Sequence, residues 1–153
     1  MSELREGDTA PAISLPRDGA STVTLADLKG PVVVYFYPRD DTPGCTTEAI
    51  GFTDQLAAFG ANGATILGVS KDTVAKHEKF ITKHDLKIAL LSDADGDVCE
   101  RYGVWGEKKM YGKVFMGIER ATFLIVDGKI AKIWRKVKVP GHVEDVLDTI
   151  RAL

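Results

Sequence analysis

The apolar positions of this chain alternate between two periods. Val32-Val33-Val34-Tyr35-Phe36-Tyr37 is an unbroken run of β-branched and aromatic residues, the pattern of a strand buried on both faces. Ala64 to Val69 repeats it, and Ile88 to Leu91 is a shorter version. Between them the spacing becomes helical. Ala49, Phe52, Leu56 and Phe59 predict a helix from Pro43 to Phe59, stopped near Gly60. Asp72 to His84 predicts a second, with Asp72 as its cap and Val74, His77 and Ile81 on one face. Asp97 to Tyr102 reads as a short helix ended by Gly103. Ala121–Val126 and Lys129–Val137 flank Asp127-Gly128, a hairpin signal. Val143, Val146, Leu147, Ile150 and Leu153 mark a closing amphipathic helix. At the other end, turn signals at Gly7-Asp8 and Asp18-Gly19 flank Ala12–Leu15 and Ser21–Leu25, which predicts an N-terminal β-hairpin. Leu25 to Gly30 is a short helix ended by its glycine. Strands alternating with helices, plus a terminal hairpin, define an α/β fold with a central mixed β-sheet flanked by helices. In such sheets, sites gather at the carboxyl ends of strands.

Composition narrows the function classes. A chain of 153 residues, 44% hydrophobic and 27% charged, is expected to form one domain, residues 1–153, without structural staples. A net charge of −2 gives no general attraction to nucleic acid or to anionic membranes. No apolar run approaches the roughly 20 residues of a membrane span, and the polar start MSELREGD is not a secretory signal pattern. Two cysteines do not make a disulfide framework. Together these favour a reducing, cytoplasmic setting. Residues 108–138 are locally basic, with Lys108, Lys109, Lys113, Arg120, Lys129, Lys132, Arg135, Lys136 and Lys138 against Glu119 and Asp127. Trp105, Tyr111 and Trp134 lie nearby, a mixture that can bind nucleic acid, but a solvated charged face is the expected reading.

One stretch carries chemistry: PRDDTPGCTTE, residues 38–48, directly after the first buried run. With Thr42 as N-cap and Pro43 as the first helical residue, Cys45 falls in the first helical turn. There, free N–H groups and the helix dipole favour thiolate over thiol, and the thiolate is the nucleophile. Gly44 removes a side chain beside the sulfur. A cysteine at this place either packs at the helix start or reacts. Pro38, Pro43, Gly44 and the strand-end position favour reaction.

The neighbours exclude several reactions. Thiol–disulfide exchange normally uses Cys-x-x-Cys, and Glu48 occupies the second cysteine's position. A cysteine hydrolase needs a histidine base, and nothing in the sequence places His77, His84 or His142 beside Cys45. No short-range ligand spacing suggests a metal. The segment Gly106–Lys113 fails as a phosphate loop: five residues intervene, and Val114 stands where Ser or Thr is required. No Gly-x-Gly-x-x-Gly fingerprint is present. No cofactor or metal is expected. A lone activated thiolate suits an oxidant that carries its own leaving group, such as a peroxide.

The motif Pro38-x-x-x-Thr42-x-x-Cys45 resembles the active site of peroxiredoxins. The resemblance extends over nearly the whole chain: GDTAP, YFYPRDDTPGCTTEA, LLSD, YGVWGEK and GIERATFLI resemble the bacterioferritin comigratory, or Q, subgroup. It implies a thioredoxin-like fold and the reduction of hydrogen peroxide and organic hydroperoxides. It also implies antioxidant defence as the setting. Cys45 would be the peroxidatic cysteine, oxidised to a sulfenic acid. Thr42 would hydrogen-bond peroxide and thiolate, Pro38 would shield the sulfur, and Arg120 would hold the thiolate and polarise the peroxide. Glu48 would orient Arg120. The subgroup's resolving cysteine stands five residues after the first, where this chain has Ile50, or after a phenylalanine in the next helix, where Phe80 is followed by Ile81. That leaves Cys99, either a buried structural thiol or a resolving partner that needs local unfolding to reach Cys45. The expected scheme is a one-cysteine cycle completed by thioredoxin, glutaredoxin or a small thiol, in a monomer, with a dimer as the alternative. The competing reading is a non-catalytic thioredoxin-like redox sensor or adaptor that uses Cys45 as a switch.

Overall fold

The computed structural model describes residues 3–19 and 21–153. In chain order its strands are β1 (Ser14–Pro16), β2 (Thr22–Thr24), β3 (Val32–Phe36), β4 (Thr65–Ser70), β5 (Ala89–Ser92), β6 (Trp105–Met110), β7 (Lys113–Ile118), β8 (Ala121–Val126) and β9 (Lys129–Trp134). The α-helices are α1 (Pro43–Asp54), α2 (Leu56–Ala61), α3 (Val74–His84), α4 (Val98–Arg101) and α5 (His142–Arg151). The central sheet has the order β5-β4-β3-β8-β9. β3 pairs in parallel with β4 and antiparallel with β8, so the sheet is mixed.

The buried run of β3 lies at the centre of this sheet because both its faces are covered. Val32, Val34 and Phe36 enter one core cluster, with Ile13, Leu15, Val98, Cys99 and Tyr102. Val33, Tyr35 and Tyr37 enter the other, with Cys45, Phe52, Phe59, Phe80 and Val146. This is the two-residue period of a strand. Helices α1, α2, α3 and α5 cover the second face, and the N-terminal hairpin with α4 covers the first.

Several boundaries differ from the sequence reading. The helix expected over 43–59 breaks at Gln55, whose ψ of 6° leaves the helical region, and α2 continues beyond it. Phe52 and Phe59 on either side of the break are both fully buried. Asp72 does not cap α3: Thr73 does, accepting the Lys76 amide at 3.3 Å, while Asp72 binds elsewhere. The expected helix at 25–30 is a single tight turn, Leu25–Asp27. The N-terminal hairpin is present as β1–β2, and Ala20 in its connection lies outside the described residues. The β6–β7 hairpin was not foreseen. Its turn is Tyr111-Gly112, both at positive φ (53° and 75°), and glycine makes such a turn possible. Met110, Tyr111, Val114, Phe115 and Met116 are exposed on it, so the hydrophobic alternation that marks a half-buried strand is missing. Among the described residues no helix is long and apolar enough to cross a membrane.

Candidate active site

The chain leaves β3 at Phe36 and passes through Tyr37 and Pro38 to Thr42, the N-cap of α1. Thr42 is extended (φ −96°, ψ 155°) and Pro43 opens the helix, as the missing N–H of proline allows. Cys45 thus stands in the first turn, at the carboxyl end of the central strand. It is 2% exposed.

Arg120 reaches it through the sheet register. Phe36 pairs with Ala121 across the antiparallel β3–β8 ladder, so the residue before Ala121 lies beside the chain as it leaves β3. The Arg120 guanidinium bridges two groups. Nη1 donates to Glu48 Oε1 at 2.6 Å, and Nη2 donates to Cys45 Sγ at 3.3 Å. Glu48 is one helical turn beyond Cys45 and fully buried. Burial pushes its carboxyl up to about 7 against the opposing pull of Arg120. Its second oxygen has no hydrogen-bond partner among the described residues. Burial disfavours the Arg120 charge, but the Glu48 and Cys45 charges outweigh it and hold its pKa up.

Gly44 has a reason to be glycine. A Cβ there would come within 3.1 Å of Arg120 Nη2, the nitrogen on the sulfur. Thr42 Oγ1 donates to the Arg39 carbonyl at 2.9 Å, so its lone pairs are free to accept from a ligand. Pro38 is half-buried at the edge of the site. Cys45, Thr42, Arg120, Glu48, Gly44, Pro43 and Pro38 therefore gather at one strand end.

Cys99 does not join them. It belongs to the core cluster on the opposite face of the sheet and is fully buried. Its amide donates to Asp93 Oδ2 at 2.8 Å. Burial first, then the Asp93 charge, pushes its thiol pKa up, so it is held as a thiol.

Sequence reasoning missed two sets of residues near the site. Lys108 on β6 lies across Gly117, whose Cβ would meet Lys108 Cδ at 3.0 Å. Burial and the Arg120 charge push its pKa down, while the Cys45 charge pulls it up. The second set is a polar cluster beneath Pro38–Thr42: Tyr37, Asp40, Asp72 and His77. The only sequence signals for them were a histidine on an apolar helix face and an acidic pair after Arg39. Among the described residues no cluster of His, Cys, Asp or Glu could hold a metal ion.

Comparison with known proteins gives the class. Residues 6–133 match the AhpC/TSA family. The putative peroxiredoxin bcp of Coxiella burnetii is 50% identical over 146 residues, covering 94% of this chain and 97% of that one. Peroxiredoxin Bcp of Bacillus subtilis is 49% identical over 147 residues, covering 95% and 94%. Among solved structures, a PrxQ mutant of Xylella fastidiosa superposes with a TM-score of 0.93 at 41% identity, covering 99% and 98%. The bacterioferritin comigratory protein of Xanthomonas campestris, studied for its alkyl peroxide reduction activity, gives 0.86 at 44%, covering 92% and 90%. The chain belongs to the AhpC/TSA family, and within it to the Bcp or Q peroxiredoxins. It is a thiol peroxidase: peroxides are its substrates and thiols supply its electrons. The sensor or adaptor reading is not favoured.

Proposed function

We propose that Cys45 is the peroxidatic cysteine and that it works in a one-cysteine cycle. The observation that carries this reading is the Arg120 guanidinium, anchored on buried Glu48 and donating to Cys45 Sγ at 3.3 Å. In the first step the Cys45 thiolate attacks the terminal oxygen of a hydroperoxide. The S–O bond forms, the O–O bond breaks, and an alkoxide or hydroxide leaves and takes up a proton. Arg120 places positive charge where the leaving oxygen gains negative charge, the logic of an oxyanion hole. Thr42 Oγ1, its proton committed to Arg39, accepts from the hydroperoxide O–H. Pro38 keeps water from the sulfur.

Cys45 is left as a sulfenic acid. A thiol attacks it, water leaves, and a mixed disulfide forms. A second thiol attacks that disulfide and returns Cys45 to its reduced form. Cys99, buried on the other face of the sheet, favours an external source for both thiols. We assign thioredoxin, glutaredoxin or a small thiol to that role. Alkyl hydroperoxides are the substrate class suggested by the Xanthomonas relative. The proposal treats residues 1–153 as one catalytic domain acting as a monomer in the cytoplasm.

The test is site-mapped mass analysis of reduced protein given one equivalent of peroxide with a sulfenic-acid trap. The expected adduct is on Cys45, with Cys99 still a free thiol and Cys45→Ser inactive. A Cys45–Cys99 disulfide would make Cys99 the resolving residue. An unmodified Cys45 would overturn the assignment.

A further inference from the structure

Beneath the loop that carries Pro38 and Thr42 lies a buried histidine that the chemistry above does not use. His77 is on the first turn of α3 and is fully buried. Its Nε2 is 2.9 Å from the Leu91 carbonyl oxygen, and its Nδ1 is 2.6 Å from Asp40 Oδ2. A carbonyl oxygen only accepts, so Nε2 carries a proton. A carboxylate only accepts, so Nδ1 carries one as well. A neutral imidazole has a single N–H and cannot satisfy both. The Tyr37 hydroxyl donates to the other Asp40 oxygen at 2.5 Å, so both Asp40 oxygens are engaged as acceptors, the arrangement that suits a doubly protonated His77 ring.

The surroundings agree. The groups facing the ring are Asp40 from the loop, Tyr37 from the end of β3 (its hydroxyl 3.5 Å from Nδ1), Asp72 from the turn before α3, and the Leu91 carbonyl from β5. Burial opposes the charge on His77, but the hydrogen bond and charge of Asp40, with help from Leu91 and Asp72, outweigh it and raise its pKa.

Asp40 is fixed twice, because its own amide donates to Asp72 Oδ2 at 2.8 Å. The next residue, Asp41, is in the left-handed region at φ 59°, where a non-glycine backbone is strained. Its carboxylate is held by Lys83 Nζ at 2.7 Å and His84 Nε2 at 2.8 Å from the last turn of α3. The two ends of helix α3 therefore both hold the loop, at Asp40 and Asp41. Pro38 and Thr42 each lie two residues from Asp40.

The geometry points to His77 as the positioning residue of the peroxide-reducing loop: as an imidazolium paired with Asp40 it sets Pro38 and Thr42 over Cys45, and loss of its proton slows attack on peroxide. It touches no reacting atom and acts through Asp40. A neutral His77 has one N–H for two buried acceptors, so a lone pair must face either the Asp40 carboxylate or the Leu91 carbonyl, and that repulsion loosens the ring's hold on the loop. The inference rests on the assignment of Cys45 as the peroxidatic residue.

The test compares His77→Asn with His77→Gln. The Asn amide nitrogen falls near Nδ1 and keeps a donor on Asp40. The Gln amide nitrogen falls near Nε2 and keeps the Leu91 bond, leaving Asp40 without its partner. The readout is the second-order rate of Cys45 oxidation across pH 6 to 10, with far-UV circular dichroism confirming the fold. On the acidic side of the parent's decline H77N is expected to stay within about threefold of the parent and H77Q to fall tenfold or more; neither variant shows the alkaline decline. Equal rates in the two variants, fast or slow, overturn the inference. If H77Q does not fold, nitrogen-15 NMR of the parent on the acidic side of its rate decline decides: two protonated ring nitrogens on His77 there support it, and one overturns it. Failure of the Cys45 assignment itself would appear differently, as a parent protein whose Cys45 peroxide leaves unmodified.

Discussion

Replacing Glu48 with glutamine keeps the shape of the side chain and removes its charge. Glu48 is fully buried, and burial lifts its pKa from the ordinary 4.5 to about 7 even with Arg120 beside it. The folded protein therefore holds this proton more tightly than the unfolded chain does. The resulting stability is fully present below pH 4.5 and is lost as the pH rises to about 7. At about 1.4 kcal/mol per pH unit, the gap between 4.5 and 7 is roughly 3 kcal/mol, most of which lies between pH 5 and pH 8. Urea unfolding of the parent and E48Q at those two pH values measures it. The parent should lose roughly 2–3 kcal/mol relative to the variant on going from pH 5 to pH 8. Other titrating groups, His142 among them, contribute equally to both proteins and drop out of the difference. The activity should move the other way. Glutamine still accepts from Arg120 Nη1, but a neutral amide oxygen holds the guanidinium less firmly than a carboxylate does. A loss of about 1 kcal/mol of positioning corresponds to a fivefold slower oxidation of Cys45 at pH 8. A stability difference between the two proteins that does not change with pH would refute the reasoning, because it would mean that Glu48 titrates like a solvated carboxyl.

Three further outcomes follow from the same geometry. Arg120→Met should slow peroxide consumption by roughly 10²–10³, the loss typical of removing one donor to a developing negative charge, as measured by second-order oxidation kinetics. Gly44→Ala places a Cβ 3.1 Å from Arg120 Nη2 and should slow oxidation by about tenfold through a displacement of a few tenths of an ångström; alanine suits a helix better than glycine, so thermal unfolding should change by no more than about 1 kcal/mol. Cys99→Ala should leave turnover with an external thiol unchanged while lowering stability by about 1–2 kcal/mol in urea unfolding, the cost of a small cavity in a packed core. A turnover loss matching that of the Cys45→Ser variant would contradict the one-cysteine cycle.

The parts of this molecule that could be read from the sequence are those whose determinants lie close together along the chain. The β3 run, the helix start at Thr42-Pro43 and the missing side chain at Gly44 are local patterns, and they place Cys45 in a first helical turn at a strand end. The β6–β7 hairpin is also local, yet it was missed for a physical reason. Neither face of it packs into a core along most of its length, so no hydrophobic alternation records it, and only the Tyr111-Gly112 turn was left as a signal.

Long-range contacts are a different matter. Arg120 lies 75 residues from Cys45, and as a residue type it was indistinguishable from the other cations of a basic segment; its role came from the family resemblance. What brings it to the sulfur is the pairing of Phe36 with Ala121, and a register of that kind is settled by which side chains bury against each other, not by the residues at the site. The same holds for His77 and Asp40, 37 residues apart. An apolar helix face explains why a histidine is buried there, but only the parallel β3–β4–β5 arrangement explains why a carboxylate and a carbonyl meet its two nitrogens. Two of the polar contacts that shape this loop thus depend on the strand order of the sheet. A substitution that shifts the β3–β8 register by one residue would flip the paired side chains to the opposite face, withdraw Arg120 from Cys45, and leave the motif from Pro38 to Cys45 intact in sequence but without the cation that its chemistry requires.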